Sequence, residues 1–88
     1  MQKNKKANDQ FLLSLGDSLR QRRIELLLSQ EQLGSLARLH RSYVTEVENG
    51  VRNISMITLL RISKALNSNP SSHILAAEYA TKNSNGTE

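Results

Sequence analysis

Apolar residues recur at helical spacing along most of the chain. Leu12, Leu15, Leu19 and Leu26 form one stripe, which predicts a first helix from about Asp9 to Leu27. Ser29 can cap a second helix, and Gln32, three residues on, completes a capping box. That helix is expected over about Gln30 to Arg38, with Leu33, Leu36 and Ala37 on its buried face. Gly34 in its middle costs roughly 1 kcal/mol against alanine. Such a residue is either tolerated or lets another element come close. A third helix starts near Arg41, buries Val44 and Val47, and ends at Asn49-Gly50, where glycine accepts the left-handed conformation that closes a helix. Ser55 caps a fourth, which presents Leu59, Ile62 and Leu66 and stops at Asn67. Asn69-Pro70 opens a fifth, since proline in a first turn gives up no hydrogen bond. It carries Ile74, Leu75 and Tyr79.

No stretch alternates with the period of two that marks a half-buried strand. The expected fold is therefore all-α, a compact set of five helices. Residues 1–8 are polar and lysine-rich and residues 81–88 are polar, so both are expected to be disordered, leaving one domain over 9–80.

With 88 residues, one small domain is expected, and a domain of this size buries little surface by itself. Phe11, Tyr43 and Tyr79 are the aromatic residues, so the core must be aliphatic. Dimerisation would add buried area. Cysteine is absent, which excludes disulfides and thiolate metal sites and fits a reducing, cytoplasmic setting. No apolar run approaches the ~20 residues of a membrane helix, and no signal-peptide pattern follows the basic start. The net charge of +4 does not by itself separate a nucleic-acid binder from an ordinary basic protein. Its placement says more. Lys3, Lys5, Lys6, Arg20, Arg22 and Arg23 face only Asp9 and Asp17 in the first 24 residues, whereas residues 29–53 balance.

The second and third helices, joined by a tight turn, have the form of a helix-turn-helix. The second helix of such a unit lies in the DNA major groove and reads bases with its exposed N-terminal residues. Those residues here are Arg41, Ser42, Thr45 and Glu46, while Val44 and Val47 point to the core. Arg41 can grip guanine O6 and N7, Glu46 can accept from cytosine N4, and Thr45 offers a methyl for thymine or a hydroxyl for phosphate. Gln30 and the open N–H groups around it suit a phosphate. Arg52 and Asn53 can reach the backbone or the groove edge. Tyr43 can donate to a phosphate or pack at the rim of the core.

Arg-Arg-Ile-Glu-Leu-Leu-Leu-Ser-Gln-Glu-Gln-Leu (22–33) and Glu-Val-Glu-Asn-Gly (46–50) resemble the helix-turn-helix of phage repressors and Cro proteins, over about residues 15–68. Leu39 to Val44 and Gly50 to Ser55 look most like the controller proteins of restriction–modification systems. The resemblance implies a small homodimer that binds a palindromic operator near its own gene and both activates and represses. Activation adds RNA polymerase as a partner, and no cofactor or metal is implied. It puts Arg41, Ser42, Thr45 and Glu46 at base-facing positions, and Gln30 and Tyr43 at phosphate-facing ones. It also implies a partly buried ion pair, Arg23 with Glu48, between the first and third helices. Some positions depart from the family. Arg38 stands where a turn glycine is usual, Gly34 where alanine is, Leu27 where a glycine follows the first helix, and His40 where serine is commoner. Arg38 fits best if it extends the second helix; His40 can cap the third when neutral. Ile74, Leu75 and Tyr79 are the expected dimer interface, with closure of the monomer core as the other reading.

Other functions fit less well. An enzyme lacks support, because His40 and His73 are far apart and no carboxylates cluster at metal spacing. An antitoxin with this DNA-binding fold would need a toxin-binding arm, and about eight residues follow the fifth helix. A protein-interaction module that has lost DNA binding would not need the polar, arginine-led third helix.

Overall fold

The structure, a computed structural model, describes the backbone of residues 2–86 and the side chains of residues 8–82. The described residues form five helices: α1 (Gln2–Glu25), α2 (Gln30–Ala37), α3 (Arg41–Glu48), α4 (Met56–Ala65) and α5 (Pro70–Gly86). Among the described residues there is no strand, and the fold is all-α as the periodicity requires. No helix is long and apolar enough, within those residues, to cross a membrane. The arm expected at 1–8 and the tail expected at 81–88 lie, but for Asn8, Thr81 and Lys82, outside the residues whose side chains are described.

One core serves all five helices. Leu15 and Leu19 of α1 meet Leu33 and Ala37 of α2, Val44 and Val47 of α3, Leu59 and Ile62 of α4 with its C-cap Leu66, and Ala77 of α5. Phe11, Leu26, Leu28, Tyr43, Ile54 and Ile74 close its edges. α1 packs along α5 and crosses α3, while α2 lies between α3 and α4. Leu36 is a correction to the expected core. It is 60% exposed, because the short α2 buries a narrow arc made of Leu33, Gly34 and Ala37, and Leu36 falls off its edge.

The crossing of α1 and α3 is unusually close. A methyl group added at Gly16 would lie 2.4 Å from the Val47 carbonyl oxygen and 2.6 Å from that of Glu48. Glycine is what lets the two backbones touch.

Helix ends account for further differences from expectation: α1 begins at Gln2 rather than about Asp9, and α5 runs on to Gly86. Leu27, Arg38 and Asn67 have φ of 60°, 60° and 51°, and Gly50 has 74°. Each therefore turns the chain through the left-handed region that ends a helix. The first helix stops at Glu25 rather than Leu27 for that reason, with the Leu28 N–H closing on the Arg23 carbonyl at 3.1 Å. Arg38 does not extend α2. It takes the conformation of a turn glycine, and Arg61 of α4 donates to the carbonyls of Ala37 (2.8 Å) and Arg38 (2.7 Å) to hold it there.

Candidate nucleic-acid interface

The α2–α3 unit is built from local signals. The Ser29 hydroxyl accepts from the Gln32 N–H at 3.0 Å, and the Gln32 side chain accepts from the Ser29 N–H at 2.8 Å, so the capping box is complete. At the other end of α2, the Leu39 N–H donates to the Gly34 carbonyl at 2.7 Å. A Cβ at Gly34 would sit 2.6 Å from the Leu39 oxygen. The glycine is thus required by the turn itself. His40 then caps α3, its Nδ1 accepting from the Ser42 N–H at 3.3 Å. That contact needs a neutral ring with Nδ1 unprotonated.

Val44 and Val47 anchor α3 in the core, which leaves Arg41 and Ser42 exposed and Tyr43, Thr45 and Glu46 half-buried. Arg52 and Asn53 follow in the exposed loop after Gly50. Thr45 meets Gln30 at the start of α2 and Arg52 meets Glu46 and Tyr43, whereas Asn53 lines a groove with Asn8, Phe11 and Leu12 of α1.

Beneath that surface lies a charged network. Arg23 donates twice to Glu48, from Nε at 2.7 Å and from Nη2 at 3.0 Å. The two side chains are only 12% and 2% exposed. Arg23 also donates to the Leu28 carbonyl at 2.8 Å. Its pKa is raised above the ordinary value by the hydrogen bond to Glu48 and by that carboxylate's charge, against an opposing desolvation. Gln30 joins the network from α2. Its Nε2 donates to Glu48 at 3.0 Å and its Oε1 accepts from the Thr45 hydroxyl at 2.8 Å. Gln30 therefore turns its amide inward, linking the buried pair to Thr45 of α3.

A second cluster sits on the surface. Arg52 Nε donates to Glu46 at 2.7 Å, and the Arg52 guanidinium carbon lies 4.9 Å from the centre of the Tyr43 ring. The Glu46 hydrogen bond and charge raise the Arg52 pKa. Tyr43 serves two purposes, packing at the core edge and seating a cation.

The three residues expected on a dimer face do not act together. Ile74 packs on the core, while Leu75 and Tyr79 are 65% and 67% exposed on the outer side of α5. Gly16 and Arg61 went unnoticed in the sequence, and His73 entered only when an enzyme was weighed. A lone glycine inside a helix of good formers was the available signal for Gly16. His73 is buried between Ser18, whose Oγ is 2.8 Å from Nδ1, and Ser68, whose Oγ is 2.7 Å from Nε2. Nothing in the local sequence announces that bridge.

The helix-turn-helix family model matches residues 19–72, more than half of the chain. The chain belongs to the helix-turn-helix family of DNA-binding transcription regulators. Its relatives in this family include control proteins. The chain is 41% identical over 59 residues to the control protein C.BamHI of Bacillus amyloliquefaciens, covering 66% of this chain and 73% of that one. It is 50% identical over 40 residues to the control protein C.SmaI of Serratia marcescens, 46% of this chain and 48% of the other. Among solved structures, the restriction–modification controller protein C.AhdI of Aeromonas hydrophila superposes with a TM-score of 0.69 at 42% identity, covering 70% of this chain and 94% of that chain.

Proposed function

We propose that this regulator acts as a homodimer on a palindromic operator and controls restriction–modification genes, its own among them. The observation that carries this reading is the surface of α3. Anchored by Val44 and Val47, it offers Arg41, Ser42, Thr45 and Glu46 as a polar strip on a helix of the kind a major groove admits. Arg41 is the residue assigned to guanine, and Ser42 and Thr45 are assigned to neighbouring bases or phosphates. Gln30, Tyr43, Arg52 and Asn53 flank the strip where the phosphate backbone would run. Leu75 and Tyr79 form the apolar face assigned to a second copy. A two-fold axis there would bring a second α3 to the duplex, with about 34 Å between the two helices. Transcriptional activation would make RNA polymerase a further partner.

The test is selection of bound sites from random-sequence DNA, with the winners bound again across a salt series. An inverted repeat with half-sites about one DNA turn apart is expected. Arg41→Ala is expected to abolish the preference. Binding with no enriched sequence, vanishing as salt rises, would reduce the interaction to general phosphate attraction and overturn the reading.

A further inference from the structure

Glu46 is out of place on a surface meant for a polyanion. It lies on the strip of α3 that would face the bases, where an uncompensated carboxylate is repelled by phosphate. In the structure it is compensated by Arg52, 2.7 Å away, and both side chains remain about half exposed. Arg52 comes from the loop after α3, and the Tyr43 ring beneath its guanidinium keeps it parked beside the helix. Arg41, in contrast, has no carboxylate partner among the described residues. The surface thus carries one cation ready for DNA and one held in reserve. A pair this exposed is weak enough to exchange partners.

We propose that Glu46 and Arg52 form a latch: Arg52 is released to the duplex only where a base amino group replaces it on the Glu46 carboxylate. The inference rests on the DNA-binding reading above. Cytosine N4 or adenine N6 supplies such a donor in the major groove, whereas guanine O6 and thymine O4 present only acceptors. At a matching base pair Glu46 exchanges one donor for another, and Arg52 swings to a phosphate or a guanine edge. At a mismatched pair Glu46 keeps Arg52, and the duplex loses both contacts. One carboxylate therefore sets selectivity at its own base and gates a cation elsewhere.

The latch makes an unusual prediction: removing a base-reading residue strengthens binding to the wrong DNA. The parent's selected duplex, versions altered at single base pairs, and an unrelated duplex are titrated with the parent, Glu46→Ala, Arg52→Ala and the double variant across a salt series. Glu46→Ala is expected to bind altered and unrelated duplexes more tightly than the parent. It should lose roughly 5-fold or more of discrimination at one base pair per half-site, and its slope of log affinity against log salt should steepen by about 0.9 for each arginine released to a phosphate. Arg52→Ala should bind more weakly yet keep its preference at that pair, and adding it to Glu46→Ala should erase the gain. Thermal melting of each variant checks that these surface changes leave the fold intact. A parent that selects a sequence while Glu46→Ala gains nothing on altered duplexes, with the two substitutions adding independently, would overturn the latch alone. A parent that selects no sequence would overturn the DNA-binding reading, and the latch with it.

Discussion

At the scale of single residues, two buried polar groups govern stability in different ways. Glu48 is enclosed, and both of its oxygens are taken by Arg23 and Gln30. Removing it strands the Arg23 guanidinium in a dry site and leaves the Gln30 amide half satisfied. Glu48→Ala should lose about 3–5 kcal/mol of unfolding free energy, measured by urea denaturation. Gln30→Ala, which leaves the ion pair standing, should lose much less. His73 responds to pH instead. Burial, and then the nearby positive charge of Arg22, lower its pKa below the ordinary value, so the folded chain holds the ring neutral. The unfolded chain takes up a proton near pH 6.5, before the folded one does. Stability is then complete above that pH and falls as the pH drops below it, towards the lowered folded pKa. Tm measured from pH 7.5 down to pH 5 should fall over the acidic half, and His73→Gln should flatten that part of the curve.

At the scale of the helices, the contact between α1 and α3 and the left-handed helix ends matter most. Gly16→Ala places a methyl group against two backbone oxygens that cannot rotate away, so a loss of about 1–3 kcal/mol or more is expected. Arg38→Gly should act in the opposite direction. It relieves a left-handed conformation that costs an ordinary residue roughly 1–2 kcal/mol, while the carbonyl that Arg61 holds is unchanged. A net gain of about 1 kcal/mol by chemical denaturation is the expected result, after allowance for glycine's greater freedom when unfolded. These two positions also mark the limit of what the sequence discloses. The 3.6-residue stripes located every helix, because burial of one face is a local, periodic signal. Ser29, Ser55 and Asn67 marked their own ends, since capping is local too. The turn at Arg38 was hidden because its support comes from Arg61 on another helix. Leu36 was misjudged because hydrophobicity shows which residues can be buried but not how wide an arc a neighbour covers. On α3 the outward direction of Arg41, Ser42 and Glu46 follows from the period once Val44 and Val47 are taken as anchors. The pairings of Gln30 with Thr45 and of Glu46 with Arg52 do not, since the packing of α2 on α3 sets the first and loop geometry the second.

At the scale of the whole molecule, the outer side of α5 is the apolar face proposed for a second copy. Leu75 and Tyr79 lie a turn apart there, and neither contributes to the monomer core. If this face joins two copies, Leu75→Glu with Tyr79→Glu should yield a monomer in sedimentation velocity, with a melting temperature that no longer depends on protein concentration. Operator affinity should fall in the same variant, since each half-site would then be bound separately. An unchanged sedimentation coefficient would move the interface to another surface.

The close seat of α3 has a mechanical meaning. Its backbone rests on Gly16, the Glu48 side chain at its end is bolted to α1 through Arg23, and Gln30 ties Thr45 to α2. As the proposed reading element, α3 is consequently stiff. A rigid tool cannot accommodate an imperfect groove, so any misfit must be absorbed by the duplex through bending, twisting or narrowing. Base pairs that no side chain touches then influence binding through their flexibility, at a cost of order 1–6 kcal/mol for a pronounced bend.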